Sequence, residues 1–293
     1  MQSPFRPQPQ RIGDLFDAGF RLFRAHITPL VALALIGALP MLLAQSALNN
    51  WLFARLGVSI SMVWLISFAT NLVIALLLGP FANAALVAAL AQAYLGRPPV
   101  IGVALRAALQ RYPLLLLASI VPVLIERMMS WMVSILQAPL TSLAIGGGLS
   151  SPAGGMLTVL LGALLLPIIV GLLWLYGQLF LYIQVVMFEQ AGPLAALGRS
   201  WQLTRGQRWR AALLVLGTRL LAQFFTWLPW LFTTFVFFRL QSSRELFSAA
   251  AMVVSLLGVL IALPLVLAIH TVFYYALRTH GEGYDLEQRL PML

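Results

Sequence analysis

The sequence predicts an all-α integral membrane protein with about six transmembrane helices and three amphipathic interfacial helices. Two observations lead to this fold class. Hydrophobic residues make up 61% of the 293 residues and charged residues only 9%, whereas about 25% of the residues in soluble proteins are charged. In addition, apolar runs of the roughly 20 residues that a spanning helix needs recur along the chain. A soluble domain of this size could not bury so much apolar surface, so the excess must face lipid.

Six apolar runs are long enough to cross a bilayer. They cover residues 29–47, 61–95, 113–137, 156–189, 209–238 and 246–278. The second, fourth and sixth contain Pro80, Pro167 and Pro264. Because proline removes a helical hydrogen bond, we expect an interruption of the fourth run at Pro167 and a break in the fifth near Pro229.

A short amphipathic segment precedes the first, third and fifth runs, at residues 12–26, 100–111 and 194–205. Apolar residues recur in each at helical spacing. The predicted apolar faces are Ile12, Leu15, Phe16, Gly19, Phe20 and Phe23, then Ile101, Leu105, Ala108, Leu109 and Tyr112, then Leu194, Leu197 and Trp201. A soluble-core helix has the same periodicity. Because each segment adjoins a span, however, we expect helices that lie in the membrane surface with their cationic side towards water.

The order of these elements indicates three tandem repeats, each an interfacial helix followed by two spans. Arg24, Arg111 and Arg205 recur at similar intervals, as do the three prolines of the even-numbered runs. The repeat units cover about residues 11–96, 97–191 and 192–280 of a single membrane domain at 11–280. Residues 1–10 are predicted to be a disordered cytoplasmic arm, and residues 281–293 a cytoplasmic tail.

The distribution of arginine predicts the orientation. All 18 basic side chains are arginine, which is typical of a GC-rich bacterial genome. One side of the predicted membrane carries Arg6, Arg11, Arg21, Arg24, Arg97, Arg106, Arg111, Arg199, Arg205, Arg208, Arg210, Arg278 and Arg289, and the other Arg55, Arg239 and Arg244. By the positive-inside rule both termini lie in the cytoplasm. We therefore expect a multi-pass protein of the bacterial cytoplasmic (inner) membrane.

Three stretches occur in the order RIGDLFDAGFRLFRAHITPL, FEQAGPLAALGRSWQLTRGQRWRA and TVFYYALRTHGEGYDLEQRL. With them the whole chain resembles a bacterial family of six-span proteins named after the membrane domain fused to some glycerophosphoryl diester phosphodiesterases. The most specific marks are the run SWQLTR at 200–205 and the tail residues Glu282, Gly283, Asp285, Leu286 and Glu287. Ala276 departs from the family, where an acid often follows the aromatic pair. The resemblance implies a six-span fold and no established activity for a stand-alone member.

The chain offers little for catalysis, so we expect no enzyme and no cofactor. Phosphodiester hydrolysis needs a metal held by several carboxylates and histidines for acid–base work. His26, His270 and His280 are far apart in the sequence, and there are eight acids and no cysteine. For His270, inside the last run, a packing hydrogen bond is the preferred interpretation. No basic stripe with interleaved aromatic residues points to nucleic acid.

Three ionisable residues lie inside predicted spans, where a charge costs at least about 2.5 kcal/mol. They are Glu126, Arg127 and Arg219. Glu126 and Arg219 follow the landmark arginines of their units at similar distances, so we expect them at similar depth. An ion pair between them is the preferred interpretation. A polar cavity or ion path, and snorkelling to the surface, are the alternatives.

The cationic segments lead to the functional hypothesis. Eight arginines in or next to the amphipathic segments are expected to contact lipid headgroups at the membrane interface. They are Arg21, Arg24, Arg106, Arg111, Arg199, Arg205, Arg208 and Arg210. The predicted function is that of a non-enzymatic scaffold or accessory subunit that contacts anionic lipid, a partner protein, or both. The alternative is a transporter or lipid-handling protein with a polar cavity around Glu126 and Arg219.

Overall fold

The structure, a computed structural model, describes residues 11–55, 60–144, 152–240 and 244–282. The arm at 1–10, the loop at 145–151 and the tail from residue 283 lie outside the described residues. Within the described ranges the chain forms ten helices: α1 (Ile12–Ala25), α2 (Ile27–Arg55), α3 (Ile60–Tyr94), α4 (Ile101–Gln110), α5 (Tyr112–Ala144), α6 (Pro152–Leu179), α7 (Tyr182–Glu189), α8 (Pro193–Leu203), α9 (Arg208–Leu240) and α10 (Arg244–Glu282).

Five stretches of the described residues are predominantly helical, and they are long enough and apolar enough to cross a membrane. They are Ile27–Leu48, Leu65–Tyr94, Tyr112–Leu136, Leu160–Glu189 and Ala250–Thr279. The prediction of an all-α fold typical of a multi-pass membrane protein is therefore confirmed. The fifth predicted run corresponds to α9, which is helical from residue 208 to residue 240. α9 is not among the five, and it carries Arg208, Arg210 and Arg219.

The helix breaks do not fall at the predicted prolines. α6 continues through Pro167, and α9 continues past Pro229, so both expected interruptions are wrong. The chain breaks instead at residues 180–181, between α6 and α7. Near this break the backbone carbonyl of Gln178 accepts a hydrogen bond from Ser200 Oγ at 2.8 Å. A helix can end inside a bundle where a neighbouring hydroxyl satisfies a freed backbone group in this way.

The three predicted amphipathic segments are helical as α1, α4 and α8, and their buried faces overlap the predicted ones in part. Phe20, Leu109 and Leu194 are exposed, at 41%, 65% and 84%. The predicted residues Leu15, Gly19, Phe23 and Ala108 are buried, and so are the unpredicted Ala18, Leu22, Ala104, Ala196 and Ser200. Small residues let helix backbones approach closely, which large apolar residues prevent.

The helices contact one another in a closed ring. α2 packs on α3, α3 on α5, α5 on α6, α6 on α9, α9 on α10, and α10 on α2. The helices α1, α4 and α8 pack on the outside of this ring: α4 packs on α3, α1 on α10, and α8 on α7, the short helix that follows α6 after the break. We call the end of the bundle that carries α1, α4 and α8 the collar end.

The tightly packed core lies at the collar end. The last turns of α3, the whole of α7 and residues 265–277 of α10 are almost entirely buried, and α3 contacts both α7 and α10. Aromatic rings fill the space between them, with Tyr94 and Tyr275 stacked at 4.2 Å and Phe180 and Phe273 at 6.0 Å. Gly19 of α1 lies against Ile269 of α10, where a Cβ would have no room. The collar end is thus closed by side chains.

Packing is looser in the half of the bundle away from the collar. In α6, the consecutive residues Leu166, Pro167 and Ile168 are all exposed. Successive helical residues point about 100° apart, so more than half of the circumference of α6 is open at this level. α6 contacts α5 and α9, and residues 166–168 are exposed between these contacts.

Candidate functional site

Three charged side chains meet between α5 and α9, and we call them the charge cluster: Glu126, Arg127 and Arg219. Arg127 Nε lies 2.7 Å from Glu126 Oε2, and Arg219 Nη2 lies 3.5 Å from Glu126 Oε1. Ser130 Oγ donates a further hydrogen bond to Glu126 Oε1 at 3.3 Å. The structure therefore brings together the two residues that the sequence placed at similar depth.

The closest partner of Glu126 is its neighbour in the sequence. Adjacent helical residues point about 100° apart and do not face each other. The long arginine stem nevertheless carries Arg127 Nε back across this angle, to 2.7 Å from Glu126 Oε2. The carboxylate consequently has one guanidinium on each oxygen.

Glu126 lies on the face of α5 that points into the bundle. The exposed face of α5 includes Leu117 and Leu124, at 55% and 40%. Glu126 follows Leu117 by two and a half helical turns and so lies opposite it. The same inward stripe contains Leu115 and Ser119, which are fully buried. The sequence places Glu126 where a charge must find partners within the protein.

Arg219 reaches the cluster from the face of α9 that packs on α6. Two turns earlier on this face, Ala212 lies against Gly177 of α6, at which a Cβ would come within 2.9 Å of Ala212 Cα. Arg219 also lies over the ring of Tyr176, with its Cζ 5.2 Å from the ring centroid. A guanidinium at this distance is attracted to the negative face of the ring. α6 therefore contributes an aromatic wall to the cluster.

His270 lies next to the cluster but makes a packing contact. It is 7% exposed, and its Nε2 lies 3.1 Å from Oγ1 of Thr218 on α9. The ring of Phe180 meets the imidazole edge to face at 4.7 Å. Within the described residues there is no group of three or more His, Cys, Asp or Glu side chains that could hold a metal ion. The structure thus gives His270 a helix-packing role.

The predicted interfacial arginines fall into two groups. Four of them act within the protein. Arg111 Nη1 donates to the carbonyls of Val186 and Met187 at 2.6 and 2.7 Å, which caps the end of α7. Arg199 Nε pairs with Glu189 at 2.8 Å. In addition, Arg208 lies over the rings of Trp174 and Trp201, and Arg210 donates to Gln207.

The other four form an exposed set, which we call the arginine rim: Arg21, Arg24, Arg106 and Arg205. They lie on α1, α4 and the turn after α8. The buried faces of those helices pack against the bundle. Charged groups held in this way face outwards at the collar end. Beside the rim, residues 205–210 line an open surface groove of about 700 Å³.

Sequence reasoning missed a second polar cluster at the collar end. Glu189 accepts a hydrogen bond from the hydroxyl of Tyr274 at 2.8 Å, and Arg278 Nε lies 3.9 Å from the same carboxylate. With Arg199, these groups tie α7 to α8 and α10. Glu189 stands alone between Glu126 and Glu245 in the sequence, among many arginines. An acidic residue isolated among many arginines was the sequence feature that could have indicated this cluster.

The run SWQLTR acquires a structural explanation. Ser200 and Thr204 are fully buried, and Thr204 Oγ1 donates to Gln178 Oε1 at 3.0 Å. Trp201 packs edge to face on Trp174 at 6.1 Å. The run therefore fastens α8 to the break between α6 and α7. Two further buried polar groups, the amide of Gln184 and the hydroxyl of Thr271, have no hydrogen-bond partner in the described part of the chain.

No protein-family model matches the chain, and no curated protein matches it either. The resemblance to the six-span family rests on the three sequence stretches that carry it.

Proposed function

We propose that this chain is a non-enzymatic polytopic protein of the bacterial cytoplasmic membrane, a scaffold or accessory subunit whose arginine rim binds anionic lipid headgroups. The observation that carries the proposal is the exposure of Arg21, Arg24, Arg106 and Arg205 on elements whose other faces are fixed to the bundle. Each arginine near an anionic surface contributes about 1 kcal/mol of attraction. Held together at one end, they present a basic surface to lipid or to an acidic partner protein.

The architecture that we propose for this function has six spans in three repeats, with α9 as the sixth span. The pattern of contacts supports it. Every short helix packs on the second long element of the preceding unit, and α1 packs on α10 to close the circle. Such an arrangement places a pseudo-threefold axis along the membrane normal and the three short helices in one membrane surface.

This architecture predicts the topology. Reporter fusions after residues 50, 148 and 242 should mark the outside, and fusions at residues 5 and 288 should mark the cytoplasm. The reason is the excess of arginine on the collar side. Because six spans return the chain to its starting side, reporters at the two termini on opposite sides would refute the model.

The rim predicts a measurable lipid preference. Replacing both Arg21 and Arg24 with Gln should weaken the affinity of the detergent-solubilised protein for phosphatidylglycerol roughly 30-fold, from about 1 kcal/mol per charge removed. Native mass spectrometry with added lipid measures this affinity, and the wild-type affinity should fall as salt is raised. The matched control is Arg239→Gln with Arg244→Gln, which removes two charges from the predicted external side. Equal losses in the two double variants would contradict the proposal.

A second candidate function, transport or lipid handling, is favoured by one observation. Glu126 lies on the inward face of α5, yet 21% of its side chain is exposed. Leu115 and Ser119, on the same stripe but nearer the collar, are fully buried. The bundle is thus closely packed between Glu126 and the collar end, and loosely packed on the other side of Glu126. This is the arrangement expected for a cavity that ends at the charge cluster.

A further inference from the structure

The charge cluster is not electrically balanced. Two guanidinium groups, those of Arg127 and Arg219, share the single carboxylate of Glu126. One positive charge is therefore left over near the middle of α5 and α9. Among the described residues, no other carboxylate lies within ion-pairing distance of either guanidinium. An uncompensated charge inside a membrane is costly, and such groups pair or reach water.

The cluster can be reached from inside the bundle. The side chains of Arg127 and Arg219 are each 28% exposed, and that of Glu126 is 21% exposed. Because Glu126 points away from the lipid-facing side of α5, its exposure comes from the interior. Val133, two turns further along the same inward stripe, is half-buried as well.

The open side of the cluster is the half of the bundle away from the collar. The collar end is closed by the buried turns of α3, α7 and α10. In the other half, residues 166–168 of α6 are exposed over more than half of the helix circumference. The less closely packed side of the cluster is therefore the side away from the collar.

We propose that the charge cluster is an anion site that binds a phosphate group entering from the end opposite the collar. A guanidinium offers several N–H donors in a planar fork that fits phosphate oxygens. Arg127 of α5 and Arg219 of α9 bring two such groups to the same place, and the ring of Tyr176 lies beside them. Bound phosphate compensates the excess positive charge. Glu126 keeps the two guanidiniums in place and limits the affinity, so that the anion can leave again.

The phosphate group could belong to a soluble ion or to a lipid headgroup, since both carry the same chemistry. The site is separate from the arginine rim and stands whether or not the rim binds lipid. It supplies a ligand class for the second candidate function. Failure of the rim experiment leaves it untouched, because the rim variants retain the complete cluster.

The test uses the purified full-length protein in a neutral detergent, with inorganic phosphate and phosphatidic acid as separate probes. Calorimetric titration measures the dissociation constant of each. Arg219→Gln should weaken binding at least about 10-fold, since one of the two forks and the excess charge are lost. Glu126→Gln should strengthen binding by a similar factor, because it removes the competing carboxylate. Arg97→Gln, an exposed arginine at the collar end, is the matched control and should leave binding unchanged.

The opposite signs separate a binding site from a structural pair. If the cluster served packing alone, both variants would loosen the bundle and neither would tighten binding. Binding of inorganic phosphate supports a soluble ligand, and binding of phosphatidic acid alone supports a headgroup. Binding of neither probe, weaker binding in Glu126→Gln, or equal effects of Arg219→Gln and Arg97→Gln would overturn the site. The comparison of Arg219→Gln with Arg97→Gln decides the question even if Glu126→Gln does not fold.

Discussion

Glu126→Gln should lower the free energy of unfolding by about 3–5 kcal/mol. The substitution leaves two guanidiniums without their carboxylate inside the bundle, and a stranded buried charge has a cost of this size. Unfolding of the purified protein in mixed micelles with increasing sodium dodecyl sulfate measures the change. Arg219→Gln should cost clearly less, because Glu126 keeps Arg127 at 2.7 Å.

The double variant provides the control for this prediction. In Glu126→Gln with Arg219→Gln only Arg127 is left unpaired, so the combined loss should be smaller than the sum of the single losses. The difference is the coupling energy of the pair. Strict additivity would show that the 3.5 Å contact between Arg219 and Glu126 carries no energy. Added phosphate should restore more stability to Glu126→Gln than to the wild type, since the excess charge is then greater.

Composition and the lengths of the apolar runs were sufficient to predict the class of fold. Five of the six predicted runs match apolar helices to within a few residues. These features are determined by the thickness of the bilayer, which acts on each segment separately. The breaks were not predictable in the same way. Pro167 does not interrupt α6, whereas the chain breaks at residues 180–181, where the Ser200 hydroxyl of α8 donates a hydrogen bond to the backbone carbonyl of Gln178.

The packing faces of the short helices show the same limit. Periodicity predicted Phe20 and Leu109 as facing the bundle or lipid, but which of the two depends on the neighbouring helix. α1 packs through Ala18 and Gly19 because Ile269 of α10 approaches there. The hydrophobicity pattern placed Gly19 on the apolar face but carried no signal that another helix would approach most closely there.

The charge cluster was partly predictable. The cost of charge in a membrane identified Glu126, Arg127 and Arg219 from the sequence, and their positions within the repeat suggested a common depth. The sequence carried no signal that Tyr176 would line the charge cluster. It also did not show which of the predicted interfacial arginines would bind groups within the protein and which would be exposed. Arg111 and Arg199 act on carbonyls and a carboxylate of other helices. Such pairings depend on how helices distant in the sequence meet.

The contact between α6 and α9 leads to the second large effect. Gly177→Ala should destabilise the protein by about 1–3 kcal/mol, the usual cost of overpacking. A Cβ at this position would come within 2.9 and 3.0 Å of the Cα and N atoms of Ala212, and backbone cannot rotate out of the way. The matched control is Gly171→Ala in the same helix, where nothing lies within 4 Å of an added Cβ. The control should be neutral or stabilising by up to about 1 kcal/mol, because alanine favours the helix over glycine.

Gly177→Ala should also weaken the charge cluster without altering any of its members. Arg219 lies two turns beyond Ala212 on the same face of α9, so moving α9 away from α6 lengthens its contacts with Glu126 and with the ring of Tyr176. The coupling energy between Glu126 and Arg219 should accordingly be smaller in the Gly177→Ala background than in the Gly171→Ala background. Repeating the double-mutant cycle in both backgrounds measures this difference. Equal coupling energies in the Gly177→Ala and Gly171→Ala backgrounds would mean that the added methyl group at residue 177 does not move α9. Close packing at Gly177 would then not be what positions Arg219.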